Sequence, residues 1–105
     1  MELTVLGKYG PYPKAGTGAA SGYLVSDGGV NLALDMGSGT LARLQQTTDI
    51  SRLDGIFISH LHYDHTSDLL PLRYLLEDLD RTLTVYTAYA VSYTHLRAHE
   101  TAANL

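Results

Sequence analysis

The chain contains no cysteine. That excludes disulfides and thiolate metal sites, and it suits a cytoplasmic protein. No apolar run approaches the roughly 18 residues a membrane span needs. The basic, then apolar, then small pattern of a secretory leader is missing as well, because Glu2 follows Met1 and Lys8 and Gly10 soon interrupt. Positive charge is scarce: 7 Lys and Arg against 11 Asp and Glu give a net charge of −4. This argues against a nucleic-acid surface spread over the whole fold. It leaves a local site open, since bound cations reverse the sign there. Internal repeats and low-complexity segments are also lacking. What is present is enough for one small domain. Its 105 residues are 45% hydrophobic, the composition of a globular chain with a core of its own.

Glu2 to Leu6 alternates polar and apolar residues, with Leu3 and Val5 on one side, and predicts a half-buried strand. Lys8 to Ala20 carries Gly10, Pro11, Pro13, Gly16 and Gly18 and reads as loop. Ser21–Ser26 and Val30–Asp35 read as two strands joined by Asp27-Gly28-Gly29, whose glycines supply the positive φ angles of a tight hairpin. Asp35-Met36-Gly37-Ser38-Gly39 is a glycine-rich turn. Thr40 is the expected N-cap of a helix with Leu41 and Leu44 on one face, and Asp49 the cap of a short helical turn ending near Leu53. Gly55-Ile56-Phe57-Ile58-Ser59 reads as a buried strand, the residues after it as loop, and Ser67 to Asp78 as a helix. Leu69, Leu72, Tyr74, Leu75 and Leu76 form the apolar stripe of that helix, and Pro71 sits in its first turn. Leu83 to Ala88 alternates again. The order β-β-β-α-β-α-β points to an α/β layer.

His60-Leu61-His62-Tyr63-Asp64-His65 follows the buried strand directly. Neutral imidazole and carboxylate are the usual non-thiol ligands of zinc and similar divalent ions. Placing such donors at the end of a rigid strand sets their spacing before a metal arrives. Each histidine alone could be an ordinary loop residue, but their joint spacing after a strand favours a metal site.

With this motif the chain resembles the metallo-β-lactamase superfamily of metal-dependent hydrolases. The resemblance runs over Met1 to Tyr89 and takes in the first strand, the Ser21–Asp35 hairpin, the Asp35–Gly39 turn and Ser59 to His65. Ser59-His60 and Ser67-Asp68-Leu69-Leu70-Pro71-Leu72 look most like the ribonuclease Z-like branch, although many members carry glycine where this chain has Asp68. The resemblance implies an α/β fold, the N-terminal half of a metallo-β-lactamase αββα sandwich, as one mixed β-sheet with helices on one face. The partner sheet of the intact fold is not in this chain, so an apolar sheet face is expected to lie open.

The resemblance also implies a site. His60 and His62 would serve one metal, and Asp64 and His65 a second, with Asp64 also acting on the attacking water as the catalytic residue. The implied cofactor is Zn2+, two per complete site, with Mn2+ or Fe2+ as alternatives. The family completes its site with a histidine, a bridging acid and a last histidine from later loops that this chain does not contain. The implied reaction is hydrolysis of a phosphodiester, in a small molecule or RNA. Thioester or lactone hydrolysis on the same site, or a non-catalytic metal-binding fragment, are the alternatives. No membrane partner is implied, and the parent protein is free to be an oligomer.

Outside the motif, Asp35 is expected to order the motif loop and the glycine-rich turn by hydrogen bonds. Ser38 reads as part of a structural turn, since the stretch lacks the patterns of a phosphate loop or a nucleophile elbow. Asp68 reads equally as a partner of a motif histidine or as an acid in a first helical turn. Tyr9, Tyr12 and Tyr23 read as local packing, with the shaping of a cleft as the alternative. Glu77-Asp78-Leu79-Asp80 reads as a solvated helix end.

Val91-Ser92-Tyr93-Thr94-His95-Leu96-Arg97-Ala98-His99-Glu100-Thr101 resembles the translation of a sequencing-library adapter, and Asn104-Leu105 fits the same frame. Residues 1–90 are therefore read as the N-terminal part of the domain, and residues 91–105 as a non-native tail. His95 and His99 stand one helical turn apart, a spacing that can bind metal. In an adapter-derived segment that spacing carries no meaning. A poorly packed helix or a frayed end is the expectation for the tail.

Overall fold

The computed structural model describes residues 1–13, 15–16, 18–87 and the backbone of 102–104. Alternation builds the first three strands: β1 (Glu2–Gly7), β2 (Gly22–Asp27) and β3 (Val30–Leu34). Gly28 and Gly29 both adopt positive φ and close the β2–β3 hairpin as expected. β3 stops one residue short of the predicted end, because Asp35 turns into the left-handed region at φ 62°.

α1 (Thr40–Thr47) follows, then a 3-10 turn (Ile50–Arg52) and β4 (Gly55–Ile58). Thr40 is the first helical residue rather than the N-cap. That position falls to Gly39, at φ 90°, while the buried Thr40 hydroxyl donates to the Gly37 carbonyl at 2.7 Å. Asp49 caps the 3-10 turn as expected, accepting from the Ser51 amide at 2.9 Å. That bond, aided by the Ser51 side chain, holds the Asp49 carboxyl below the usual carboxylate value.

The motif expected as loop contains one helical turn, α2 (Tyr63–Thr66), with His62 at its N-cap. α3 (Leu69–Asp78) begins after Asp68 and buries Leu72 and Leu76, with Leu69 and Leu75 partly covered. Tyr74, assigned to the apolar stripe, faces outward instead. It stands two residues from each of Leu72 and Leu76, which places it on the opposite side of the helix from that buried pair. The run from Glu77 to Asp80 is exposed as expected.

β5 (Thr84–Thr87) and β6 (Ala102–Asn104) complete a mixed sheet in the order β1-β2-β3-β4-β5-β6. β3, β4 and β5 run parallel, and the outer pairs antiparallel. For residues 102–104, strand pairing with β5 overturns the expected helix or frayed end. Such pairing uses only backbone groups, so almost any short segment can supply it. His95 and His99 lie outside the described residues.

One face of the sheet contributes Leu24, Ala33, Ile56, Ile58 and Val85 to a single core with Leu41, Leu44, Leu72 and Leu76 of the helices. The other face is apolar and open. Register aligns Val5, Tyr23, Leu34, Phe57 and Tyr86 in one row across five strands, and Leu3, Val25 and Leu32 in the next. Leu3 is 61% exposed, and Phe57 and Tyr86 are each 46% exposed. Leu32 and Tyr86 converge over Gly55, where an added Cβ would meet both within 3.4 Å. Contiguous apolar surface of this kind commonly marks a face that another element or partner covers.

Candidate metal centre

Parallel β3 and β4 end side by side, and in open α/β sheets ligands bind outside such carboxyl ends. Asp35 leaves β3 there, and its amide donates to the Phe57 carbonyl at 2.8 Å. Ser59 and His60 leave β4. The turn after β3 then docks α2: the Met36 amide donates to the His65 carbonyl at 2.7 Å, and the Asp68 amide donates to the Met36 carbonyl at 2.9 Å. Gly37 permits this approach, since an added Cβ would lie 2.1 Å from the Asp64 carbonyl oxygen. Backbone contact at that distance admits only glycine.

Asp35 is 7% exposed and accepts from three donors. The Ser59 amide reaches Oδ1 at 2.7 Å, the Ser59 hydroxyl reaches Oδ2 at 2.8 Å, and His65 Nδ1 reaches Oδ2 at 2.8 Å. Asp35 therefore orders the motif, in line with its sequence reading. A carboxylate can only accept, so His65 carries a hydrogen on Nδ1, and in the neutral ring Nε2 is then the lone pair. That Nε2 lies 3.4 Å from Asp64 Oδ2. The His60 ring sits 3.9 Å from the His65 ring and 4.7 Å from the His62 ring, centroid to centroid.

The four motif donors thus gather at one end of the sheet without closing a cage. Among the described residues, no group of three or more His, Cys, Asp or Glu is arranged to hold a metal ion by itself. Their chemistry fits a divalent cation nonetheless. Imidazole and carboxylate are its usual donors, and His65 has the anchored second nitrogen that metal-binding histidines characteristically show. His60, His62, Asp64 and His65 are the residues that could hold one.

Other sequence readings resolve differently. Asp68 is the N-cap residue of α3, and its Oδ2 accepts from the Leu41 amide at 2.8 Å at the start of α1. Ser38 belongs to a structural turn, its carbonyl accepting from the Ala20 amide at 2.9 Å. Tyr23 lies in the open sheet face, and Tyr12 is exposed. Two residues next to the site were given no part in ordering it by the sequence. Ser59 appeared as a strand end and as part of the family motif, although its place directly before His60 was a usable signal. Gly10 appeared as one loop glycine among several. An added Cβ there would lie 2.7 Å from Asp64 Oδ2, and nothing local in the sequence announces that contact.

Residues 17–105 match the family described as "Beta-lactamase superfamily domain". The chain belongs to this superfamily. It is 40% identical over 74 residues to "Probable metallo-hydrolase YhfI" of Bacillus subtilis, covering 70% of this chain and 30% of that protein. It is 38% identical over 77 residues to "Ribonuclease Z" of Methanopyrus kandleri, covering 71% of this chain and 28% of that one. Among solved structures, the metallo-beta-lactamase fold protein YhfI superposes with a TM-score of 0.80 at 36% identity, over 88% of this chain and 38% of its own. Human tRNase Z, short form, superposes with a TM-score of 0.63 at 36% identity, over 69% of this chain and 28% of its own. The mixed sheet with helices on one face is thus part of a metallo-β-lactamase fold, as the sequence resemblance implied. The chain spans under a third of the length of the curated relatives it matches. Metallo-hydrolase relatives imply a metal cofactor for the family. No helix among the described residues is long and apolar enough to cross a membrane.

Proposed function

We propose that the motif is the front half of a dinuclear zinc site that hydrolyses a phosphodiester. The observation that carries this reading is the anchoring of His65 by Asp35, which leaves Nε2 beside Asp64 at 3.4 Å. His60 and His62 would hold one metal, and Asp64 and His65 the other. A bound pair of divalent cations supplies Lewis-acid stabilisation of the attacked group and acidifies water. The chain's own residues position and move the proton. The Asp64 carboxylate accepts it from the attacking water as general base, and Asp35 holds the loop that carries Asp64. Tyr63 is 60% exposed and takes no part.

A phosphodiester is favoured over a thioester or lactone because ribonuclease Z proteins stand among the relatives. An RNA or small-molecule phosphodiester is the substrate class proposed, and the lack of cysteine supports a cytoplasmic setting.

Four side chains close two coordination shells only with several waters, so this polypeptide by itself binds zinc weakly and does not turn over substrate. Calorimetric zinc titration, together with hydrolysis of bis(p-nitrophenyl) phosphate, tests this. Weak binding that is abolished by Asp64→Ala and His65→Ala supports the reading. Binding indifferent to both substitutions overturns the site, and tight binding of two equivalents with turnover overturns the stated incompleteness.

A further inference from the structure

The Ser59 hydroxyl oxygen lies 2.8 Å from Asp35 Oδ2 and 3.0 Å from His60 Nδ1. A serine hydroxyl has one proton to donate, and a carboxylate can only accept. The Ser59 proton therefore goes to Asp35, and the oxygen meets His60 as an acceptor. His60 Nδ1 must then carry the hydrogen. The arrangement is braced from below, because the Ser59 amide also donates to Asp35 Oδ1 at 2.7 Å and pins the serine against the carboxylate. His65 meets the same carboxylate directly through Nδ1 at 2.8 Å.

We infer that Ser59 is a positioning residue that relays the Asp35 carboxylate to His60. One buried acid sets the tautomer of two histidines and leaves the Nε2 lone pair available on each. For His65 the link is direct; for His60 it passes through the hydroxyl. The rings of these two histidines lie 3.9 Å apart, so both lone pairs belong to one small region. The consequence for metal affinity rests on the dinuclear reading above, whereas the tautomer does not.

The test uses the full chain with 15N-labelled histidine. Long-range 1H–15N correlation spectra are recorded about two pH units above the ordinary histidine value, where imidazole is neutral. The expected result is an Nδ1–H tautomer at both His60 and His65. Ser59→Ala should move His60 toward the Nε2–H form that exposed imidazole favours, with His65 unchanged, and Ser59→Thr should restore the original pattern. Cobalt(II) titration, followed by visible absorption, should show affinity about tenfold or more weaker in Ser59→Ala and recovered in Ser59→Thr. If His60 keeps Nδ1–H in Ser59→Ala, or threonine fails to restore it, the relay is overturned. A tautomer shift without any change in cobalt affinity supports the relay and removes His60 from the proposed metal site.

Discussion

Asp35 Oδ2 and His65 Nδ1 are 2.8 Å apart, although thirty positions separate the two residues in the chain. The contact ties the end of β3 to the short helix of the motif. It holds His65 with one nitrogen anchored and the other turned toward Asp64, so the site is ordered by a residue that is not itself one of its donors. Asp35 adopts φ 62° to do this, a conformation that non-glycine residues rarely take.

Asp35→Ala leaves three donors without their acceptor. Each unpaired, partly buried donor costs about 1–3 kcal/mol, less where water reaches it. A stability loss of about 2–4 kcal/mol is expected, read as a lower urea midpoint at unchanged slope. Asp35→Gly should lose less, because glycine adopts the left-handed backbone without strain. Equal losses in the two variants would show that backbone conformation contributes nothing here.

Gly10 and Gly37 should respond to alanine in opposite ways. A Cβ at Gly37 meets the Asp64 carbonyl at 2.1 Å, where only backbone movement could relieve it, so Gly37→Ala is expected to lower Tm sharply or prevent folding. The one close contact of a Cβ at Gly10 would be the Asp64 carboxylate tip at 2.7 Å, with the Ser21 hydroxyl at an ordinary 3.9 Å, and Gly10 is exposed. Gly10→Ala should fold with Tm nearly unchanged yet bind cobalt(II) about tenfold more weakly. In an Asp64→Ala background the effect of Gly10→Ala should vanish. A Gly10→Ala effect that persists there would place its origin elsewhere.

The open sheet face should make the isolated chain self-associate. Burial of apolar surface is worth about 25 cal/mol per Å², and this face spans five strands. Sedimentation velocity should show concentration-dependent association, and the dye ANS should fluoresce on binding. Phe57→Lys should reduce both signals, because Phe57 lies in the longer row between Leu34 and Tyr86 and is 46% exposed. A monodisperse monomer that leaves ANS dark would mean that this face is covered in solution.

Residues 91–105 should prove foreign to the gene. Sequencing genomic DNA across the codons after Ala90 is expected to depart from Val91-Ser92-Tyr93-Thr94-His95. Continuation with those residues would establish the tail as native and return the spacing of His95 and His99 to consideration.

Much of the architecture was legible because period-two alternation and glycine-marked turns are local signals. The hairpin at Gly28-Gly29, the strand beginning at Gly55 and the cap at Asp49 could all be read from neighbours in sequence. Boundaries set by tertiary contact could not. Thr40 resembles an N-cap by residue type, but the start of α1 is served by Asp68, twenty-seven positions beyond the amide that it accepts from. Tyr74 matched a helical stripe by type, yet it stands two residues from each of the buried Leu72 and Leu76 and so faces away from the core. The motif looked like loop because its histidines and aspartate are poor helix formers, and contact with Met36 winds Tyr63–Thr66 into a turn regardless.

By itself, the sequence determined which side chains carry metal-donor chemistry and where they stand in the chain. Donor chemistry is a property of residue type, and H-x-H-x-D-H spacing is written in the order of residues. Only the tertiary structure decided how those donors are held. Asp35 reaches His65 because β3 and β4 run parallel and end together, Gly37 admits the motif helix because no Cβ stands in its way, and Gly10 meets Asp64 from a loop more than fifty residues earlier. Such contacts depend on distances across the fold, which residue order alone does not encode locally.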